Sequence, residues 1–143
     1  MTNLLFLTVG LPRSGKSTWA KTTSFPIVNR DAVRLALHGQ DYIQEAEDMV
    51  TAIEMYMVKA LFLAGHNRVI IDATNLKDTY RERWMIGPWK IRVCIFDVTP
   101  EVCIERAKKS GREDLIPIIE KMAPYAEGLD FLNGRKYDEK ENF

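Results

Sequence analysis

Val9-Gly10-Leu11-Pro12-Arg13-Ser14-Gly15-Lys16-Ser17-Thr18 decides the fold. A glycine, four residues and then Gly-Lys-Ser is the spacing of a phosphate-binding P-loop. The apolar run Leu4-Leu5-Phe6-Leu7-Thr8-Val9 enters it and reads as a buried strand. Thr18-Trp19-Ala20-Lys21 leaves it as the first turns of a helix. Strand, glycine loop and helix are the context in which the motif has meaning. Glycine lets the backbone curl until successive N–H groups face one anion, and the helix N-terminus adds partial positive charge. Gly10, Pro12, Arg13, Ser14, Gly15, Lys16, Ser17 and Thr18 are therefore the candidate nucleotide contacts. Lys16 is placed to reach the β- and γ-phosphates, and the Ser17 hydroxyl to ligate Mg²⁺. The expected ligands are ATP and Mg²⁺. The motif does not name what receives the phosphoryl group.

Composition sets bounds on the rest. The chain has 143 residues, the size of one domain, and its 46% hydrophobic content is enough for a core. Formal net charge is zero, whereas proteins that coat nucleic acid are basic. Any contact with nucleic acid is expected to be local. Cys94 and Cys103 lack metal-ligand spacing and read as reduced thiols in or near the core. The first apolar run has no basic region before it and enters the P-loop, so it does not read as a signal peptide. No stretch approaches the ~18 apolar residues of a membrane span. A soluble, cytoplasmic protein is expected.

Outward from the P-loop, residues 3–9 read as a strand, 16–23 as a helix and 26–29 as a short second strand. Asp31 stands where a helix N-cap would stand and Gly39 where a C-cap would, with Arg34 one turn after Asp31 on the same face. Residues 41–64 form the longest periodic segment. Ile43, Ala46, Val50, Ile53, Met57, Ala60 and Ala64 make its apolar stripe, and Glu45, Glu47, Asp48 and Glu54 its wet side. Arg68-Val69-Ile70-Ile71-Asp72 is a buried strand ending in a carboxylate, which after a P-loop is the Walker B pattern and makes Asp72 a candidate Mg²⁺ ligand. Thr74 or Asn75 could cap a helix at 77–86. A fourth strand is expected over 90–98, a helix from Pro100 to about Ser110, a loop at 111–114 and a helix around 115–123. The tail, 126–143, is polar and acidic in balance and is expected to pack loosely. Strands alternating with helices give a parallel α/β sheet with both faces covered. His38 and His66 sit at helix ends, and Trp19, Trp84 and Trp89 read as packing residues.

Gly10 to Ala20, Asn29-Arg30-Asp31 with Arg34, Ile71-Asp72-Ala73-Thr74-Asn75-Leu76, Phe96-Asp97-Val98, and Glu105 to Arg112 followed by Ile116-Pro117 carry a family likeness. Over roughly residues 3–123 the chain resembles the kinase part of bacteriophage-type polynucleotide 5′-hydroxyl kinases. The resemblance implies one adenylate-kinase-like P-loop kinase domain, a three-layer sandwich whose four-stranded parallel sheet runs 2-3-1-4. It implies transfer of the ATP γ-phosphoryl to the 5′-hydroxyl end of DNA or RNA. It assigns the general base to Asp31, the acceptor-positioning role to Arg34 with Asn75 beside it, and donor-phosphate clamps to Arg106 and Arg112 in a lid at about 106–114. The chain departs from the family pattern at Ser110, where an arginine would precede the lid glycine, and at Arg13, which replaces a small residue. It is too short for the phosphatase domain some members carry, so 3′-phosphate removal is not expected.

The residues themselves leave alternatives open. Phosphoryl transfer needs in-line positioning and neutralised charge, and Asp31 can take a hydroxyl proton or simply cap a helix. An alcohol has no charge to steer it, so Arg34 fits a phosphate on an acceptor strand. The same residues would serve another hydroxyl nearly as well: a nucleoside, a nucleotide, a sugar or a hydroxymethylated base in DNA. A non-transferring ATP-binding switch module would share the P-loop and turn ATP over without regard to any acceptor.

Overall fold

The structure is a computed structural model and describes residues 2–40, 42–128 and 139–143. Its centre is β1, Leu4–Val9, all six residues of which are buried. The chain continues through α1 (Lys16–Thr22), β2 (Ile27–Asn29), α2 (Arg30–His38), α3 (Glu47–Leu63) and β3 (Arg68–Asp72). It then forms α4 (Asp78–Glu82), β4 (Lys90–Ile95), α5 (Pro100–Lys109), α6 (Ile116–Met122) and β5 (Glu139–Asn142). The sheet order is β2-β3-β1-β4-β5, with each neighbouring pair parallel. Its first four strands run 2-3-1-4, as expected for a P-loop kinase fold.

Alternation along β1 divides the core. Leu5, Leu7 and Val9 point to one face, where Val50 and Val58 of α3, Trp84, Cys103, Ala107 and Ile119 close over them. Leu4 and Phe6 point to the other, against Ala20 and Trp19 of α1 and Phe25. Each fully buried aliphatic side chain contributes roughly 1.5–3 kcal/mol, so β1 is held from both sides. That rigid strand delivers Gly10 to the sheet's carboxyl edge. β2 and β3 end at the same edge, since Asn29 pairs in register with Asp72. Ligand crevices of open α/β sheets lie there.

Four local expectations need correction. The segment 126–143 is not merely loose: Arg92 to Ile95 pair with Glu139 to Asn142, and the Phe143 ring stacks on Phe96 at 4.7 Å. Residues 129–138 of that tail lie outside the described residues. A four-residue charged strand has no apolar alternation to announce it. Next, α3 is rotated from the expected phase. Glu54 is buried with Val50 and Val58, while Met57, Ala60 and Ala64 are exposed. The reason is an arginine, described below, that gives the buried acid a partner. The helix expected at 77–86 is only Asp78–Glu82, and neither Thr74 nor Asn75 caps it. The N–H that would bond the Trp84 carbonyl belongs to Pro88, which has none, and the Trp89 indole donates to that carbonyl instead at 2.7 Å. Last, β4 ends at Ile95: the Val98 N–H turns back to the Phe96 carbonyl at 3.0 Å, and Thr99 caps α5 with Pro100 at its first position. Among the described residues no helix is long and apolar enough to cross a membrane.

Candidate active site

The P-loop turns as its glycines allow. Gly15 lies at φ 100°, and Arg13 at φ 70°. Left-handed residues on either side of Ser14 bend the N–H groups toward a common centre, the geometry of an anion nest. At Gly10 a Cβ would lie 2.7 Å from Ser14 Oγ and 2.8 Å from the Phe96 carbonyl, so nothing larger fits. Lys16 begins α1, is buried, and donates from Nζ to the Leu11 carbonyl at 2.6 Å. Burial pulls its pKa from 10.5 to about 8, against the opposing charges of Asp72 and, after it, Asp31. An ammonium so poorly solvated gains strongly from an anion in the loop.

Asp72, at the end of β3, lies under this loop. Ser17 Oγ donates to Asp72 Oδ2 at 2.7 Å, and Asn29 Nδ2 donates to the same oxygen at 3.0 Å. A hydroxyl and a carboxylate converging beside a phosphate nest are hard oxygen donors and fit Mg²⁺, which takes one or two protein ligands and completes its shell with phosphates and water. Among the described residues no group of three or more His, Cys, Asp or Glu gathers to hold a metal on its own.

Asn29 does a second task. Its Oδ1 accepts from the Ala32 N–H at 2.8 Å, so Asn29, not Asp31, caps α2. This corrects the sequence expectation for Asp31. The cap lies two residues earlier because β2, ending at Asn29, runs directly into the helix. The Asp31 carboxylate is thereby released: it is 71% exposed and accepts one bond from Arg34 Nη1 at 2.7 Å. One asparagine side chain thus bridges the carboxylate of Asp72 and the turn that carries Asp31.

Arg34 is fixed from behind. Glu47 of α3 accepts from Arg34 Nε at 2.9 Å and Nη2 at 2.8 Å. Burial opposes the Arg34 charge, but Glu47 and then Asp31 hold its pKa above the ordinary value. Burial likewise works against ionised Glu47, and Arg34 and Arg30 outweigh it, keeping that carboxyl below its usual range. Arg30 also bonds Thr51 and the buried Glu54, and Arg83 reaches Thr51 from the other side at 2.6 Å. For Glu54 burial dominates and raises the pKa despite Arg30. Glu47, Thr51 and Glu54 do not stand out in the sequence as residues of the site. Their signal is spacing: positions four and seven apart share one helix face, here opposite two arginines of α2.

The remaining candidates separate. Asn75 is buried at φ 46° and donates its amide to the Thr8 carbonyl at 2.8 Å, tying the loop after β3 to β1. The expected lid at 106–114 is largely helical, since α5 runs to Lys109 and a 3₁₀ turn spans Glu113–Leu115. Arg106 faces the P-loop and donates to the Arg13 carbonyl at 3.2 Å. Arg112 turns to Asp114, with bonds of 3.0 and 3.2 Å. Pro12 and Thr18 lie in the loop and first helical turn, as read. Cys94 and Cys103 are buried and free, and burial pushes the Cys94 thiol up to about 12.

Comparisons with known proteins bear on the family and the fold. The solved Pnkp1/Rnl/Hen1 complex contains a chain with 31% identity over 73% of this chain, at a TM-score of 0.62. The Pnkp1/Rnl/Hen1 RNA repair complex gives 21% identity, 84% coverage and a TM-score of 0.65. The chain spans 39% and 46% of those two proteins, under half of either. A sugar kinase from Janibacter sp. HTCC2649 shares the fold over the whole chain and 85% of its own length, with 19% identity and a TM-score of 0.68. The family model described as an AAA domain matches residues 5–119. With its P-loop, strand order and kinase neighbours accounted for, the chain belongs to that AAA domain family and has a P-loop kinase fold.

Proposed function

We propose that this domain transfers the γ-phosphoryl of ATP to the 5′-hydroxyl end of DNA or RNA. The observation that carries the reading is Asp31. It is an open carboxylate, relieved of capping by Asn29, oriented by Arg34, and coupled through Asn29 to Asp72 below the P-loop. A hydroxyl brought to Asp31 lies between a proton acceptor and the donor phosphates. The 31% identical chain of the Pnkp1/Rnl/Hen1 complex supports the choice of acceptor.

The residues then divide the tasks. The loop amides and Lys16 hold the donor phosphates, and Arg106 brings positive charge to the loop's rim. Ser17 and Asp72 would hold Mg²⁺, which would supply positive charge to offset that of the donor phosphates. Asp31 takes the hydroxyl proton. Arg34, held by Glu47, presents its guanidinium to a phosphate of the acceptor strand. Asn75 ties the loop after β3 to β1, and Arg112, turned to Asp114, has no task at the donor. Asp31's exposure suits the end of a chain rather than an enclosed small molecule. Zero net charge suits a footprint of one or two nucleotides. Two buried free thiols suit a reducing compartment, the cytoplasm.

The test uses γ-labelled ATP, Mg²⁺ and an oligonucleotide bearing either a 5′-hydroxyl or a 5′-phosphate, with free nucleosides, nucleotides and sugars in parallel. Label on the 5′-hydroxyl strand alone, lost in Asp31→Asn, is the expected result. Label only on a small molecule, or on the 5′-phosphorylated strand, moves the acceptor to another hydroxyl. ATP turnover indifferent to every acceptor would make the domain a switch module.

A further inference from the structure

Arg13 stands against its backbone's preference. Among described residues other than glycine, Arg13 and Asn75 have positive φ, a conformation that suits glycine or asparagine. Asn75 is of the tolerant type; arginine is not. The strained residue also sits in the middle of the phosphate loop, the place where strain accompanies function.

Its side chain leaves the loop toward the end of α5. Nη2 donates to Ser110 Oγ at 2.5 Å, across 97 positions of sequence. Nε is buried and has no hydrogen-bond partner among the described residues. Ser110 is itself anchored, its hydroxyl bonded to the Arg106 carbonyl at 2.9 Å. Arg106 meanwhile donates to the carbonyl of Arg13. Two guanidinium-bearing residues therefore meet at one rim of the loop, one from the loop and one from α5. Arg112 spends two nitrogens on Asp114 instead. A neutral hydroxyl is a weak anchor for a guanidinium, and a phosphate is a far stronger partner that takes two of its N–H groups at once.

We propose that the side chain of Arg13, exchanging Ser110 for phosphate oxygens, binds the terminal phosphate of the donor, and that Arg112 does not. Arg13 is thus a substrate-contacting residue supplied by the P-loop itself. Lys16 and the loop amides remain common to di- and triphosphate, while Arg13 distinguishes them. The inference rests on the reading of the loop as a nucleoside triphosphate site.

Calorimetric titration with Mg²⁺-ATP and Mg²⁺-ADP tests it without reference to any acceptor. Arg13→Gly removes the guanidinium and suits the left-handed backbone, so its melting temperature is expected not to fall. Its ATP affinity is expected to drop by about tenfold or more, as for a lost charged hydrogen bond, while ADP changes by less than about twofold. Arg13→Lys should recover part of the loss, and Arg112→Ala and Ser110→Ala should leave the ATP-to-ADP ratio unchanged. Equal weakening of both nucleotides by Arg13→Gly, or a ratio that follows Arg112 instead, overturns the proposal. A wild-type protein that binds neither nucleotide would remove the donor site, and this inference with it.

Discussion

Stability is expected to rise at alkaline pH because of Lys16. Its amine is buried, and burial lowers its pKa from 10.5 to about 8. At about 1.4 kcal/mol per pH unit, that depression corresponds to roughly 3 kcal/mol. The sign follows from proton counting. Below pH 8 both states carry the proton, and the folded state bears the full cost of the desolvated ammonium. Between about 8 and 10.5 the folded state has lost the proton while the unfolded state keeps it, so stability rises with pH. Lys16→Met removes this cost together with the bond to the Leu11 carbonyl, a loss of about 1 kcal/mol. The variant is therefore expected to be about 2 kcal/mol more stable than wild type near neutral pH, and to lose that advantage by about pH 10. Urea unfolding of both proteins across this range measures the difference, and groups common to both cancel. A difference that stays constant with pH would refute the reasoning. The same variant should fail to bind nucleotide, since the loop's charge is gone.

Three further outcomes follow from the packing around the site. Arg30→Met leaves Glu54 buried without its partner and should cost about 3–5 kcal/mol in unfolding free energy, much of it restored when Glu54→Met is added. Asn29→Ala should cost about 1 kcal/mol through the lost cap, whereas Asp31→Asn, at an exposed carboxylate, should stay within about 0.5 kcal/mol while phosphoryl transfer falls by about 10²-fold or more. Comparing melting temperatures with initial rates separates the two. Phe143→Ala removes a stacked ring beside Trp19 and should cost about 1 kcal/mol, with a shift in tryptophan emission, as Trp84 and Trp89 are buried elsewhere.

What the sequence made legible was whatever is carried by short range. The P-loop, its flanking strand and helix, the acid at the end of β3 and the glycines at helix ends all lie within a few residues of their cause. β5 was not legible, because its pairing with Arg92 to Ile95 is a property of the sheet edge and not of its own four residues. Nor was the buried face of α3. Hydropathy places Glu54 outside, and only the approach of Arg30 from a separate helix makes its burial possible. For Asp31 the sequence shows its position relative to Arg34 but not that the cap belongs to its neighbour. Two neighbouring side chains, Asn29 and Asp31, can each cap the first turn, and the end of β2 decides between them. Arg13 was plain as a departure, and its contact with Ser110 required two distant segments to be in place.

The central position of β1 also governs how the domain is made. Leu4 pairs with Arg68 on one side and with Lys90 on the other, so the strand emerges from the ribosome long before either neighbour exists. Closing such distant parallel pairings is slow compared with local helix formation. Throughout that interval Leu4-Leu5-Phe6-Leu7-Thr8-Val9 is an uncharged, β-prone segment with both edges unsatisfied, the kind of stretch that associates between chains. The strand that aims the phosphate loop in the finished fold is therefore an aggregation hazard during synthesis.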